Sequence, residues 1–135
     1  MEWLARLSTA KSLPLLDKEI IGCRKCPRLV QWREEVAVVK RKSYENEKYW
    51  GKAIPGFGSE KPKLLIVGLA PGAHGANRTG RIFTGDSSGD WLYGALHKIG
   101  IAKIATSTSI NDGQKLKDTR IICAVRCAPP GNKPL

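Results

Sequence analysis

Lys63-Leu64-Leu65-Ile66-Val67-Gly68, running straight into Leu69-Ala70-Pro71-Gly72-Ala73-His74-Gly75-Ala76-Asn77-Arg78-Thr79-Gly80-Arg81-Ile82-Phe83-Thr84-Gly85-Asp86, decides how this chain folds. A short unbroken apolar run between turn residues reads as a strand buried on both faces, the habit of parallel sheets. The Gly-rich loop follows at the carboxyl end of that strand, where open α/β sheets bind their ligands. Beyond it, Asp86, Ser87 and Ser88 offer helix caps. Trp91, Leu92, Ala95, Leu96 and Ile99 then recur at helical spacing, and Gly100 stops the run. A weak strand is expected around Ala102 to Ser107 and a better one over Thr119 to Val125. Strand, loop, helix, strand is the order of an α/β fold with a mostly parallel sheet.

Upstream, Ser12 before Leu13-Pro14 marks a helix start, with Leu13, Leu16 and Ile20 at helical spacing and Gly22 closing the segment. Cys23-Arg24-Lys25-Cys26-Pro27 has the form of a metal knuckle. A second helix is expected from Leu29 to Lys42, with Val30, Val36 and Val39 toward the core. The stretch from Lys40 to Trp50 mixes basic residues with Tyr44, Tyr49 and Trp50 and is polar enough for an exposed loop. Ile54 to Lys61 is rich in Gly and Pro and should be irregular. After the last strand only Ala128-Pro129-Pro130-Gly131-Asn132-Lys133-Pro134-Leu135 remains, with no helix to cover the sheet. The expectation is therefore a single domain, residues 1–135, that is C-terminally incomplete.

Charge narrows the partners. Lys and Arg number 23 against 12 Asp and Glu, a formal net charge of +11. Such a balance favours a polyanion, because each phosphate contact releases counterions. No segment approaches the ~20 apolar residues of a membrane span. Met1 to Ala10 lacks the layout of a signal peptide, which points to a cytoplasmic protein. In that reducing compartment the four cysteines are expected to be metal ligands rather than disulfides.

In the loop, small residues allow close backbone approach to a ligand, and His74, Asn77 and Arg78 supply polar groups. The spacing matches neither a P-loop nor the dinucleotide fingerprint, which leaves a nucleotide-binding protein remote. The run from Gly68 to Asp86 is closely similar to the first motif of the family 5, or B type, uracil-DNA glycosylases. Arg126-Cys127-Ala128-Pro129-Pro130-Gly131-Asn132-Lys133-Pro134 resembles that family's cysteine-bearing loop, and Cys23-Arg24-Lys25-Cys26-Pro27-Arg28-Leu29 its N-terminal ligand pair. The three matches stand in the family's order.

The resemblance implies an α/β/α sandwich with a mostly parallel central sheet and a structural [4Fe–4S] cluster. It also implies a base-excision enzyme that hydrolyses the N-glycosidic bond of uracil, or of other deaminated bases, in DNA, acting as a monomer. Cys23, Cys26 and Cys127 take three ligand positions, and the fourth family cysteine lies past Leu135. Cys123 is either a makeshift fourth ligand or a small buried hydrophobe. Related enzymes tend to carry Asn at that strand position, a departure that bears on uracil recognition. Zinc is the alternative metal for a thiolate site. Gly68, Ala70, Pro71, Gly72 and Phe83 would line the base pocket, with Phe83 stacking on the flipped base or else packing under the following helix. No Asp or Glu lies between Gly68 and Arg81. Asn77 or His74 would thus position the attacking water, the alternative for His74 being a hydrogen bond that orders the loop. Arg78 and Arg81 would clamp DNA phosphates, and Asp86 reads as a helix cap. A second motif that stabilises the leaving base is absent, so the alternative is a catalytically incompetent DNA-binding fragment.

Overall fold

The computed structural model describes residues 8–135, and the reading of the first residues as lacking a signal peptide falls largely outside them. Strand β2 (Leu64–Gly68) runs parallel to β3 (Thr119–Cys123), in register from Leu64 opposite Thr119 to Gly68 opposite Cys123. A two-residue strand β1 (Phe57–Gly58) pairs antiparallel on the other side of β3, giving the order β1-β3-β2. This is an α/β sheet, parallel over its long pair and antiparallel at its short edge. The central strand is the buried one, with Thr119, Arg120, Ile121 and Cys123 all inaccessible.

The expected burial of both faces of the first strand does not hold. Leu64, Leu65 and Val67 are 45%, 51% and 57% exposed, and only Ile66 packs into the core. Among the described residues β2 pairs with β3 alone, and an unbroken apolar run cannot distinguish an edge position from a covered one. The core gathers Ile54, Ile82, Tyr93, Leu96, Ile121 and Cys123, while a smaller cluster joins Leu29, Ala53 and Cys127 to Ile20, Cys23 and Val125.

Helix α1 (Leu13–Ile21) starts as expected, the Ser12 hydroxyl accepting from the Leu15 amide at 3.4 Å. Helix α2 (Pro27–Val39) begins with Pro in the first turn and ends earlier than expected, where Lys40 turns to φ 60°. Val30 and Val36 are buried, but Val39 is 73% exposed, and the position between them on the inner face is Arg33. The stretch from Lys40 to Trp50 is mostly exposed, as expected, with Arg41, Lys42, Ser43, Glu45, Asn46, Glu47 and Lys48 all at the surface. It contains a 3-10 turn (Lys42–Tyr44) and buries Tyr49.

Helix α3 (Ala76–Thr79), a single turn inside the Gly-rich loop, was not anticipated. Helix α4 (Ser87–Lys98) is capped by Asp86, whose carboxylate accepts from the Gly89 amide at 2.9 Å. Its buried face is Gly89, Tyr93 and Leu96, whereas Trp91 is 82% exposed and Ile99 70%. The helix is rotated from the face its large apolar residues suggest because Gly89 presses directly on the Phe83 carbonyl.

No strand forms over Ala102 to Ser107, where the one pairing is a bridge from Ala102 to Leu116. The Gln114 side chain replaces a neighbouring strand, donating to the carbonyls of Ile104 (2.7 Å) and Thr106 (2.9 Å) and accepting from the Ile104 amide (3.2 Å). Among the described residues no helix is long and apolar enough to cross a membrane.

Candidate base-excision site

The loop springs from Gly68, which lies opposite Cys123 at the end of the parallel pair. The ladder continues past the strands: the Ala124 amide donates to the Gly68 carbonyl (2.8 Å) and Val125 to Leu69 (2.9 Å). This roots the loop against the segment that carries Cys127. Pro71 is buried, and Ala70 and Gly72 are half-buried. The Gly72 carbonyl accepts from the Asn77 amide at 3.0 Å, folding the loop back on itself. The Asp86 carboxylate sits over the turn, and a Cβ on Gly75 would fall 2.1 Å from its oxygen.

Phe83 stands at φ 49°, in the left-handed region that side chains rarely adopt. That conformation costs on the order of 1–3 kcal/mol and persists where surrounding structure enforces it, often at ligand sites. The half-buried ring lies against Gly68, where a Cβ would meet it at 3.0 Å. Gly68 and Phe83 thus come together as expected, at the carboxyl end of the sheet. Phe83 also packs against the core cluster, in keeping with the packing reading.

His74 is half-buried and its Nδ1 lies 2.8 Å from the Tyr49 hydroxyl, with the two rings edge-to-face at 5.8 Å. That hydroxyl also accepts from the Arg41 amide at 3.3 Å, which fixes it against the ring. Burial lowers the His74 pKa, and the charges of Arg41 and Arg78 lower it further. The lowered pKa favours the neutral ring at physiological pH.

Three of the expected site residues have side chains engaged within the protein. Asn77 is fully buried, and its Nδ2 donates to the Arg33 carbonyl at 3.1 Å. This bond ties the loop to α2, while the buried Asn77 Oδ1 has no hydrogen-bond partner among the described residues. The Arg78 side chain is 9% exposed, stacks 3.9 Å over the Tyr44 ring, and donates to the His74 carbonyl (2.7 Å), the Gly85 carbonyl (2.8 Å) and Glu47 (2.6 Å). Arg81 is equally committed, to Thr84 (3.1 Å), Ser107 (2.7 Å) and both oxygens of Asp112 (3.0 and 2.7 Å). Neither guanidinium is presented to DNA phosphates. Both hold the loop in shape. Tyr49, Asp112 and Arg33, which do much of this holding, carry no local sequence signal, since their partners lie 25, 31 and 94 residues away.

Exposed cations lie beside the loop instead. Lys48, Lys52, Trp50, Arg78, Thr108 and Ser109 are among the residues lining a cleft of 410 Å³, and the Lys52 ammonium sits 5.5 Å from the Trp50 ring centre.

The cysteines separate into two groups. Cys23 and Cys127 share the smaller apolar cluster, and Cys26 caps the start of α2 close by. Burial raises the Cys127 pKa and the Arg33 guanidinium, 2.9 Å from its sulfur, opposes that; the charges of Cys23 and Cys26 raise it further. An all-sulfur set suits iron–sulfur or zinc chemistry. Among the described residues no three such side chains are gathered into one coordination sphere. Cys123 belongs to the main core instead, near Gly68, with its thiol pushed up by burial to about 11. It is a buried apolar thiol, apart from the other three.

A sequence profile described as the uracil DNA glycosylase superfamily matches residues 55–135, more than half of the chain. The chain belongs to that superfamily. It is 60% identical over 125 residues to the type-5 uracil-DNA glycosylase of Mycobacterium leprae, covering 93% of this chain and 55% of the relative. Against the type-5 enzyme of Thermus thermophilus the identity is 50% over 115 residues, or 85% and 52% of the two chains. The type-4 uracil-DNA glycosylase of Pyrobaculum aerophilum is 35% identical over 121 residues, 90% of this chain and 45% of that one. The chain spans about half the length of these curated relatives.

Proposed function

We propose that this chain supplies the base-binding loop and three sulfur ligands of a type-5 uracil-DNA glycosylase, a monomer that hydrolyses the N-glycosidic bond of a deaminated base in DNA. The observation that carries this reading is Phe83, held at φ 49° with its ring on Gly68 where the parallel strands end. A strained aromatic at that place supports a role in stacking on an extruded base, since backbone strain clusters at ligand sites. Bond cleavage moves negative charge onto the departing base and positive charge onto the sugar. Here the neutral His74 would hydrogen-bond a base oxygen or a water, with Tyr49 fixing the ring. Asn77 acts indirectly, by anchoring the loop.

Cys23, Cys26 and Cys127 would hold three corners of a [4Fe–4S] cluster, zinc being the alternative, and such a cluster would brace the fold without taking part in the reaction. The test is single-turnover base release from a uracil-containing oligonucleotide, in the protein extended to its relatives' length. Stacking is worth about 1–3 kcal/mol per base, so Phe83→Ala should slow release by roughly 5- to 150-fold. Equal rates for wild type and Phe83→Ala would sink the pocket assignment.

A second reading is that these 135 residues bind DNA without excising a base, favoured by the exposed Lys48 and Lys52 that line the cleft beside the loop. The DNA track would then run through the cleft whose exposed cations are Lys48 and Lys52, the Arg78 guanidinium at its wall being engaged within the loop. Affinity should fall steeply with salt, and Lys48→Ala and Lys52→Ala should each reduce the salt slope by about one. A slope unchanged in both variants, measured by fluorescence anisotropy, would remove the cleft from the interface.

A further inference from the structure

Arg33 is 1% exposed, yet it lies on a helix whose neighbours Glu34 and Glu35 face outward. A buried guanidinium is costly unless its donors are used. Its NH1 group donates to the Cys127 sulfur at 2.9 Å and its NH2 group to the Cys23 carbonyl at 3.1 Å. The same residue's main-chain carbonyl accepts from the Asn77 side chain at 3.1 Å. Asn77 in turn accepts, through its own carbonyl, from the Gly51 amide at 3.0 Å. Gly51 stands so close to α2 that a Cβ on it would lie 2.9 Å from the Ala37 side chain. One residue thus touches two cysteines with its side chain and the Gly-rich loop with its backbone.

We propose that Arg33 is a positioning residue that couples the sulfur site to the Gly-rich loop, so that a change at Cys127 is felt at Asn77. The proposal rests on the reading of Cys23, Cys26 and Cys127 as a metal-binding set. A ligand drawing the sulfurs together fixes the guanidinium, the guanidinium fixes this turn of α2, and that turn fixes Asn77 and the loop. Coupling of this kind is reciprocal, and ordering the loop also favours the occupied sulfur site.

The test is a double-mutant cycle in the 135-residue chain, read by hydrogen exchange at the Asn77 and Gly80 amides in the loop. The Ile121 amide in β3 reports on global opening. Cys127→Ala should accelerate exchange at Asn77 and Gly80 by roughly 5-fold or more while leaving Ile121 unchanged. In an Arg33→Met background the loop should already exchange fast, and Cys127→Ala should add nothing. Arg33→Lys should give an intermediate rate, since one ammonium reaches only part of what the planar fork spans. Additive effects, or acceleration of Ile121 together with the loop, would overturn the coupling.

Cobalt(II) supplies the spectroscopic arm. In wild type it should produce sulfur-to-cobalt charge-transfer absorption and slow loop exchange. In Arg33→Met the band should shift, through loss of the hydrogen bond to sulfur, while loop exchange stays unaffected. Slowing of the loop by cobalt in Arg33→Met would also overturn the proposal. Failure of wild type to bind cobalt would overturn the metal-site reading instead, with the exchange cycle still deciding the role of Arg33.

Discussion

Arg81→Met lowers stability by about 3–5 kcal/mol, the cost of leaving a buried carboxylate without its partner. The two side chains are 5% and 8% exposed, and Arg81 also lies 4.7 Å over the Phe57 ring. Set against the roughly 5–15 kcal/mol of a typical domain, this loss is a large fraction of the total. Asp112 has further duties, accepting from the amides of Thr108 and Gln114, both at 2.9 Å. Replacing both partners with apolar residues therefore recovers only part of the loss. Urea unfolding decides the point, and a loss under about 1 kcal/mol would reduce the pair to an ordinary surface salt bridge.

The pH dependence carries a sign as well. Burial alone would raise the Asp112 pKa, but the Arg81 hydrogen bonds and the two amides overcome it and hold the carboxyl at about 2. A depressed carboxylate contributes stability above its unfolded pKa, and that contribution is lost as pH falls through the folded value. Wild type should weaken between about pH 4 and pH 2. In Arg81→Met burial is no longer opposed by a cation, and acidification toward the carboxyl pKa should cost less or even stabilise.

What the sequence revealed follows from which interactions are local. The apolar runs at Leu64–Gly68 and Thr119–Cys123 and the Asp86 cap depend on neighbours within a few residues, and they were legible. So was the meeting of Gly68 with Phe83 in one loop. The roles of Arg78, Arg81 and Asn77 were not, because a basic or amide side chain reads alike whether it faces a phosphate or a partner supplied by a distant segment. Arg33 was invisible for the same reason: on a mixed polar helix, periodicity gives no sign that one guanidinium points inward to a thiol 94 residues away. Helix α4 shows the complementary failure. Its largest apolar residue, Trp91, suggested the wrong face, since close approach at a glycine rather than side-chain size determines which side is buried.

That close approach makes Gly89→Ala destabilising by about 3 kcal/mol or more, at the upper end of overpacking. A Cβ on Gly89 would stand 2.0 Å from the Phe83 oxygen, 2.7 Å from its carbonyl carbon and 3.3 Å from the Thr84 nitrogen. All three are backbone atoms, so no rotamer change relieves the clash. Either the first turn of α4 lifts away, breaking the bond from Asp86 to the Gly89 amide, or Phe83 leaves its left-handed conformation and its ring leaves Gly68. Gly94, five residues on in the same helix, provides the control. A Cβ there would find nothing nearer than the Ala105 carbonyl at 3.8 Å, an ordinary contact. Replacing a helix-interior glycine with alanine where space allows stabilises by about 0.5–1 kcal/mol, so Gly94→Ala should raise Tm by a few degrees. Gly89→Ala should lower it by roughly 10 °C or more. The two substitutions have the same helix propensity and opposite expected signs, which isolates the contact with Phe83 as the cause. Equal shifts in calorimetry would mean that α4 does not press on the loop and that Phe83 is held by something else.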